Sequence, residues 1–338
     1  MTDEIRQIFE TNRRLLGEIG KAVICFRENR YEEALENIAV NGEDLNRVAE
    51  YIIRDREYFK NVSADSVAEM LSGILEASKN GDYVLLADLY EMQVADFICK
   101  IQELILNHEE LIAYDEAAYR ENTSAMKALL REMIEERDDL DNDARKRFRI
   151  NLNAQLDEPF DAEKMLKKGY ALEFTAGGLM TISTPYRNGR IYLHSNGNTG
   201  LEAYLLARSW YEEDVDEYVV FGFGMGYHIA QLHRLAPEKR IIVYETSLDI
   251  LKLYCAFGGS CELLESENVF IVYDERADLI ERRLRRYTEV TACRDRVHYR
   301  AADGSLIRVC IHYPSYRRTP GCSMLDRAVP WKNKIERL

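Results

Sequence analysis

All six prolines of this chain (Pro159, Pro185, Pro237, Pro314, Pro320 and Pro330) lie beyond residue 158, as do 13 of its 18 glycines. Proline removes a backbone donor and collides with the preceding helical turn, and glycine in a helix costs about 1 kcal/mol against alanine. The first 158 residues can therefore run as long helices, while the rest carries the turn-formers of a strand-containing domain. Charge divides at the same place. Residues 1–158 hold 20 basic and 35 acidic side chains, a net of −15, and residues 159–338 hold 25 and 24, a net of +1.

A length of 338 residues fits about two domains, and 46% hydrophobic against 31% charged residues describes a chain that folds. The net charge of −14 argues against a general nucleic-acid binder. The longest nearly uncharged apolar run, Tyr218 to Ala230, is interrupted by three glycines and is shorter than the ~20 residues of a membrane span. The start MTDEIRQIFE is acidic and amphipathic, unlike a signal peptide. Seven scattered cysteines with no CxxC pair read as reduced thiols, so a cytoplasmic protein without a metal site is expected.

Residues 1–158 are expected to form an all-α bundle. Ile5, Ile8, Phe9, Leu15, Leu16, Ile19, Val23 and Phe26 make one apolar stripe. A short helix ending near Gly42 precedes another from Leu45 to Phe59, and a third, capped by Ser63 or Asp65, stops at Asn80-Gly81. A long helix spans Asp82–Leu106, with Leu85, Leu89, Met92, Phe97, Ile101 and Leu104 inward, and two more run through Met126–Ile134 and Phe148–Leu156. Asp88, Glu91 and Asp96 read as a solvated face, since bundle metal sites use Glu-x-x-His pairs and the only histidine here is His108. The acidic bundle is expected to dock partners or to self-associate.

Residues 165–315 change period, and 316–338 form a tail. Leu179–Thr184 and Arg190–His194 flank Asn188-Gly189, a hairpin signal. A helix over Thr199–Tyr211 follows, then apolar strands Tyr218–Phe221, Arg240–Tyr244 and Val269–Tyr273 alternating with helices at Tyr227–Leu235, Leu248–Phe257 and Ala277–Arg286, and a closing strand Leu306–Ile311. This alternation predicts an α/β, Rossmann-like, doubly wound domain with a parallel sheet.

Gly222-Phe-Gly-Met-Gly226 follows the first of those strands and opens a helix, where backbone amides can face an anion. Tyr227 stands where a dinucleotide fingerprint needs glycine, which disfavours NAD. Glu245 ends the next strand, placed for a ribose diol, and Asp274 ends the one after it at the same rim of the sheet, where ligands of open α/β sheets lie. Gly222, Gly224, Gly226, Glu245 and Asp274 together resemble the cofactor site of class I S-adenosylmethionine methyltransferases. The bland alternative is that the glycines only allow close packing.

Tyr192-Leu-His-Ser195, Glu202-Ala203, Val219-Val-Phe-Gly-Phe-Gly-Met-Gly-Tyr-His228 and Ile242-Val-Tyr-Glu245 occur in that order. The succession, over about Tyr170 to Arg286, resembles the N-terminal domain of the Maf (motility-associated factor) flagellin glycosyltransferases. The resemblance implies a role in transferring sialic-like acids from CMP-activated donors to flagellin. The family's transferase chemistry belongs to a central domain with a Gly-Pro-Ser-Leu motif, and this chain has no Gly-Pro-Ser run. It also has Asn196-Gly-Asn-Thr-Gly200 where the family carries Asp-Pro.

Tyr227 and His228, opening the helix after the loop, are candidate ligand contacts, and His194, Ser195 and Glu202 are further candidates. His228 and His233 lie five apart, off the four-residue step of a metal pair. Residues 275–338 carry 15 basic and 8 acidic groups, with Arg282, Arg283, Arg285 and Arg286 on one helix that suits a solvated face or an acidic partner. Tyr313, Tyr316 and Trp331 are expected to pack back onto the sheet. The expectation is an accessory Maf-like protein of flagellin or surface glycosylation with a nucleotide-type ligand or a degenerate site. An S-adenosylmethionine-dependent methyltransferase and an interaction module with an empty site are the alternatives.

Overall fold

The computed structural model describes residues 2–312 apart from 61, 110–113, 136–140, 187–188, 259–262, 286–288, 294–295 and 302. Asn188 of the expected hairpin turn, Arg286, the 316–338 tail with Trp331, and Tyr313 fall outside that set, as do Cys261 and Cys322. The described chain forms two units. The first takes the described residues up to 109 with 173–181 and 195–205, and the second takes 114–172, 182–194 and those from 206 onward. By packing, the helices of 114–167 group with the strands, whereas the sequence places the division at 158.

In the first unit α1 (Asp3–Arg27) buries the whole predicted stripe. Thr2 caps it by accepting the Ile5 amide at 3.3 Å, and Asp3, Glu4 and Arg27 complement its dipole. α2 (Tyr31–Arg54) is one helix, and Gly42 does not end it. Ala34, Asn41, Leu45, Val48 and Ile52 keep one face buried through the glycine, and that burial outweighs its local cost. α3 (Ala64–Asn80) starts on the Ser63 hydroxyl and stops at Gly81, whose φ of 65° is the left-handed helix stop. The expected long helix is α4 (Tyr83–Leu89), a π turn (Tyr90–Val94) and α5 (Ala95–His108). The wider turn rotates the inward face, so Tyr90, Val94 and Ile98 are buried while Met92 is exposed; Leu85, ahead of the turn, is exposed as well.

Asp88 and Glu91 pair with Arg27, and Asp96 pairs with Lys100, as a solvated face would. Buried Gln102 takes the Asn12 amide and donates to the carbonyls of Phe9 (3.1 Å) and Gly177 (3.3 Å). Phe174 meets Phe9 edge-on at 5.9 Å. Segments distant in sequence thus complete the core of α1 and α5.

The second unit contains α6 (Glu116–Glu135), α7 (Asn142–Asp157) and α8 (Ala162–Lys167). Strands β1 (Ala171–Phe174), β2 (Met180–Tyr186) and β3 (Gly189–Tyr192) form a small sheet, with β2 and β3 antiparallel in the register Ser183 to Tyr192. Helix α9 (Thr199–Trp210) follows. Then come β4 (Glu217–Phe221), α10 (Tyr227–Leu235), β5 (Arg240–Glu245), α11 (Leu248–Phe257), β6 (Val269–Tyr273), α12 (Asp278–Arg285), β7 (Glu289–Cys293), β8 (Arg296–Arg300) and β9 (Leu306–Ile311). The large sheet has the order β6-β5-β4-β9-β8-β7. Its first four strands, β6, β5, β4 and β9, are parallel, but β8 runs antiparallel to both β9 and β7, so the sheet is mixed where a wholly parallel one was expected.

β4 is central, and it is apolar from Tyr218 to Phe221 because both its faces are covered there. Tyr218 and Val220 join a core with Met126, Leu130, Leu152 and Leu156 of α6 and α7, while Val219 and Phe221 face Ala277, Ile280, Ile307 and Val309. Asn122 of α6 also donates to the Cys255 carbonyl at 2.9 Å. Arg283 of the basic α12 sits on both oxygens of Glu217 at 2.7 and 2.8 Å. Cys25, Cys99, Cys255 and Cys310 are not disulfide-bonded. No helix among the described residues is long and apolar enough to cross a membrane.

Candidate functional site

The loop of residues 222–226 leaves the C-terminal end of β4 and turns into α10. Gly222, Gly224 and Gly226 have φ of 97°, 57° and 73°, a region that side chains with a Cβ rarely occupy. A Cβ on Gly224 would lie 2.9 Å from His194 Nε2 and 3.1 Å from His312 Cε1. On Gly226 it would lie 2.9 Å from Leu263. The close approach that these glycines permit is therefore to the protein's own side chains.

The loop amides have protein partners as well. Gly222 donates to the Tyr244 carbonyl at 2.8 Å, Phe223 to Glu245 Oε2 at 2.8 Å, Met225 to His194 Nε2 at 3.1 Å and Gly226 to the Phe223 carbonyl at 3.0 Å. The Gly224 amide adds its favourable electrostatic effect on the Glu245 carboxylate. Glu245 Oε1 takes the amides of Thr246 (2.8 Å) and Ser247 (2.9 Å). Burial holds this carboxyl above its ordinary range, with the four amides opposing. Where a ribose contact was expected of Glu245, the side chain is fully buried and both oxygens close the turn.

Asp274 behaves alike. It directly follows β6, and its Oδ2 accepts the amides of Leu279 (2.9 Å) and Ile280 (3.1 Å), capping α12. Ala277, next to the helix start at φ 58°, has no side chain that could do so. Burial raises the Asp274 carboxyl too, against those amides. In the first unit, Glu202 accepts the Ser195 amide at 2.6 Å and Ser195 Oγ accepts the Gly197 amide at 3.1 Å. With Asn198 on the Leu201 amide at 3.1 Å, these residues fold the turn that starts α9.

His194 and His228 are brought together beside the loop, and His312, which sequence reasoning did not single out, joins them. All three are buried, at 2%, 0% and 4% exposure. The rings of His228 and His312 stack at 3.9 Å and 18°, and His194 lies 4.7 Å from His312. His228 Nε2 donates to the Gly222 carbonyl at 3.1 Å, and His312 bonds the Leu193 backbone. Burial holds all three rings neutral at pH 7: His194 and His228 fall well below the ordinary range, with neighbouring imidazoles adding to the effect, and His312 is pushed down to about 4. The available signal for His312 was register. Ile311 pairs with Phe221, so the residue after β9 comes beside the residue after β4, and the His312 amide donates to the Phe221 carbonyl at 2.8 Å.

Tyr227 is half-buried and, with Met225, His233, Arg234 and Tyr254, lines a cleft of about 190 Å³ beside α10 and α11. Neither Glu245 nor Asp274 borders that cleft.

No protein-family model matches the chain, and no curated protein matches it by sequence. Among solved structures the chain is similar to MnmC2 from Aquifex aeolicus, at 18% identity and a TM-score of 0.22, over 40% of this chain and 57% of that one. The match thus spans less than two thirds of MnmC2.

Proposed function

We propose that the chain is an accessory, Maf-like protein of bacterial flagellin or surface glycosylation, and that its α/β unit is a Rossmann-like scaffold with a closed glycine loop. The observation that carries the scaffold reading is that four of the five amides from Gly222 to Gly226 donate to acceptors inside the protein, so the loop is turned inward and not toward a phosphate. The pathway rests on the ordered His-Ser, Glu-Ala, glycine-loop and Tyr-His succession in the sequence. The acidic helices supply charge for docking partners.

The test is a thermal-shift panel with S-adenosylhomocysteine, CMP, CMP-sialic acid, UDP, NAD and ATP, paired with co-purification against flagellin and a nonulosonic-acid transferase of the same cell. A ligand at 100 times its dissociation constant adds about 2.7 kcal/mol, which is easily seen. The scaffold reading expects no shift and retention of a glycosylation component. A shift with S-adenosylhomocysteine would return the site to the methyltransferase alternative, and a cytidine-nucleotide shift would make it a sugar-donor site. Failure to retain either component would remove the pathway.

A further inference from the structure

We propose that His194, His228 and His312 form a binding site for one divalent transition-metal ion of the zinc class, a site that stands apart from the pathway reading above. Each ring offers one nitrogen, and these atoms lie within 4.8 Å of one another. Three points that close fit inside a circle of radius about 2.8 Å, and zinc–imidazole bonds are about 2.0–2.1 Å, so each nitrogen has roughly 0.7 Å to travel. The His228 and His312 rings, stacked at present, fan apart about their Cβ–Cγ bonds to aim both lone pairs at one point.

Hydrogen bonding supplies the second, independent argument. The Nδ1 atoms of His228 and His312 are buried and have no hydrogen-bond partner among the described residues. A buried polar atom is rarely left unsatisfied without a reason. In both rings the hydrogen bond that does exist goes to backbone, from His228 to Gly222 and from His312 to Leu193. Metal-ligating imidazoles have this arrangement: one ring N–H fixed on a carbonyl sets the tautomer and leaves the opposite lone pair for the ion. His194 is the third ligand. Its Nε2 already accepts the Met225 amide at 3.1 Å and is therefore unprotonated, and the ion takes that amide's place.

Imidazole donors suit zinc, copper, iron and nickel, whereas magnesium and calcium prefer oxygen. Three protein nitrogens leave one position of a four-coordinate ion for a small ligand such as water. The three rings come from the residue two beyond β3, the first turn of α10 and the residue after β9, so the ion ties three separate segments around the glycine loop.

The test uses the full chain, stripped with a chelator and titrated with ZnCl2 alone. One equivalent of zinc retained through gel filtration is expected, with a midpoint raised by several degrees and returned by EDTA. With 15N-labelled histidine, zinc should move the ring-nitrogen signals of three of the six histidines, a reading that needs no variant. His312→Phe preserves an aromatic partner for His228 and should lose the retained equivalent. Cobalt in place of zinc should give the visible bands of nitrogen ligation. Absence of a retained equivalent, retention undiminished in folded His312→Phe, or a thiolate-to-cobalt charge-transfer band would each overturn the site.

Discussion

Gly224 and Gly42 are the same residue under opposite constraints. At Gly224 a methyl group would need φ 57° and would press on the imidazoles of His194 and His312. Gly42 lies inside α2 with open space where its Cβ would be. Gly224→Ala is therefore expected to lose about 1–3 kcal/mol, and Gly42→Ala to gain about 0.5–1 kcal/mol. Urea denaturation of both variants measures this, and equal effects of one sign would show that the loop's backbone is not what constrains residue 224. The glycine loop could be read in the sequence because three glycines after an apolar strand have few other uses. What filled the space above it could not. His312 stands 84 residues after His228 and follows an ordinary strand, and only the parallel pairing of β4 with β9 brings it in. Glu245 was visible as an acid at a strand end, but nothing local distinguishes one turned to a ligand from one turned to its own backbone amides.

Among the elements, α12 depends on a cap supplied from the end of β6. Because burial raises the Asp274 carboxyl in the folded chain, the folded state holds that proton more tightly than the unfolded state. The resulting stability is fully present below about pH 3.9, the unfolded value, and is lost as pH rises through the folded one. Asp274→Asn keeps an oxygen for the Leu279 and Ile280 amides and removes the titration. The melting temperature of this variant relative to wild type should climb between about pH 4 and pH 7. A constant difference would mean that Asp274 does not carry the dependence. The sequence pattern read the elements well where burial is continuous, along one face in α1 and on both faces in β4. It failed at Gly42, where packing along the helix overrode a local preference. It also failed at Tyr90–Val94, where one wide turn breaks the 3.6-residue count. The β7–β8 pair is short and lies in a segment whose charge dominates its pattern.

At the scale of the whole chain, neither unit is one stretch of sequence. The first needs 173–181 and 195–205 in addition to its helices. A fragment ending at residue 113 would lack Phe174, which meets Phe9, and the Gly177 carbonyl that accepts from buried Gln102. Such a fragment is expected to keep helical circular dichroism, unfold with a broader and lower transition than the full chain, and exchange its α1 and α5 amides faster. A transition as sharp as that of the intact protein, with α1 and α5 equally protected, would show the helices to be self-sufficient. The same threading has a consequence in time. A ribosome emits the chain from one end, and the five helices are out before the segments that finish their core. At about 5–20 residues per second, the interval from residue 109 to residue 205 lasts roughly 5–20 seconds. For that interval the nascent helices hold apolar faces and the buried Gln102–Asn12 pair open to the cell, a window in which a chaperone has something to hold.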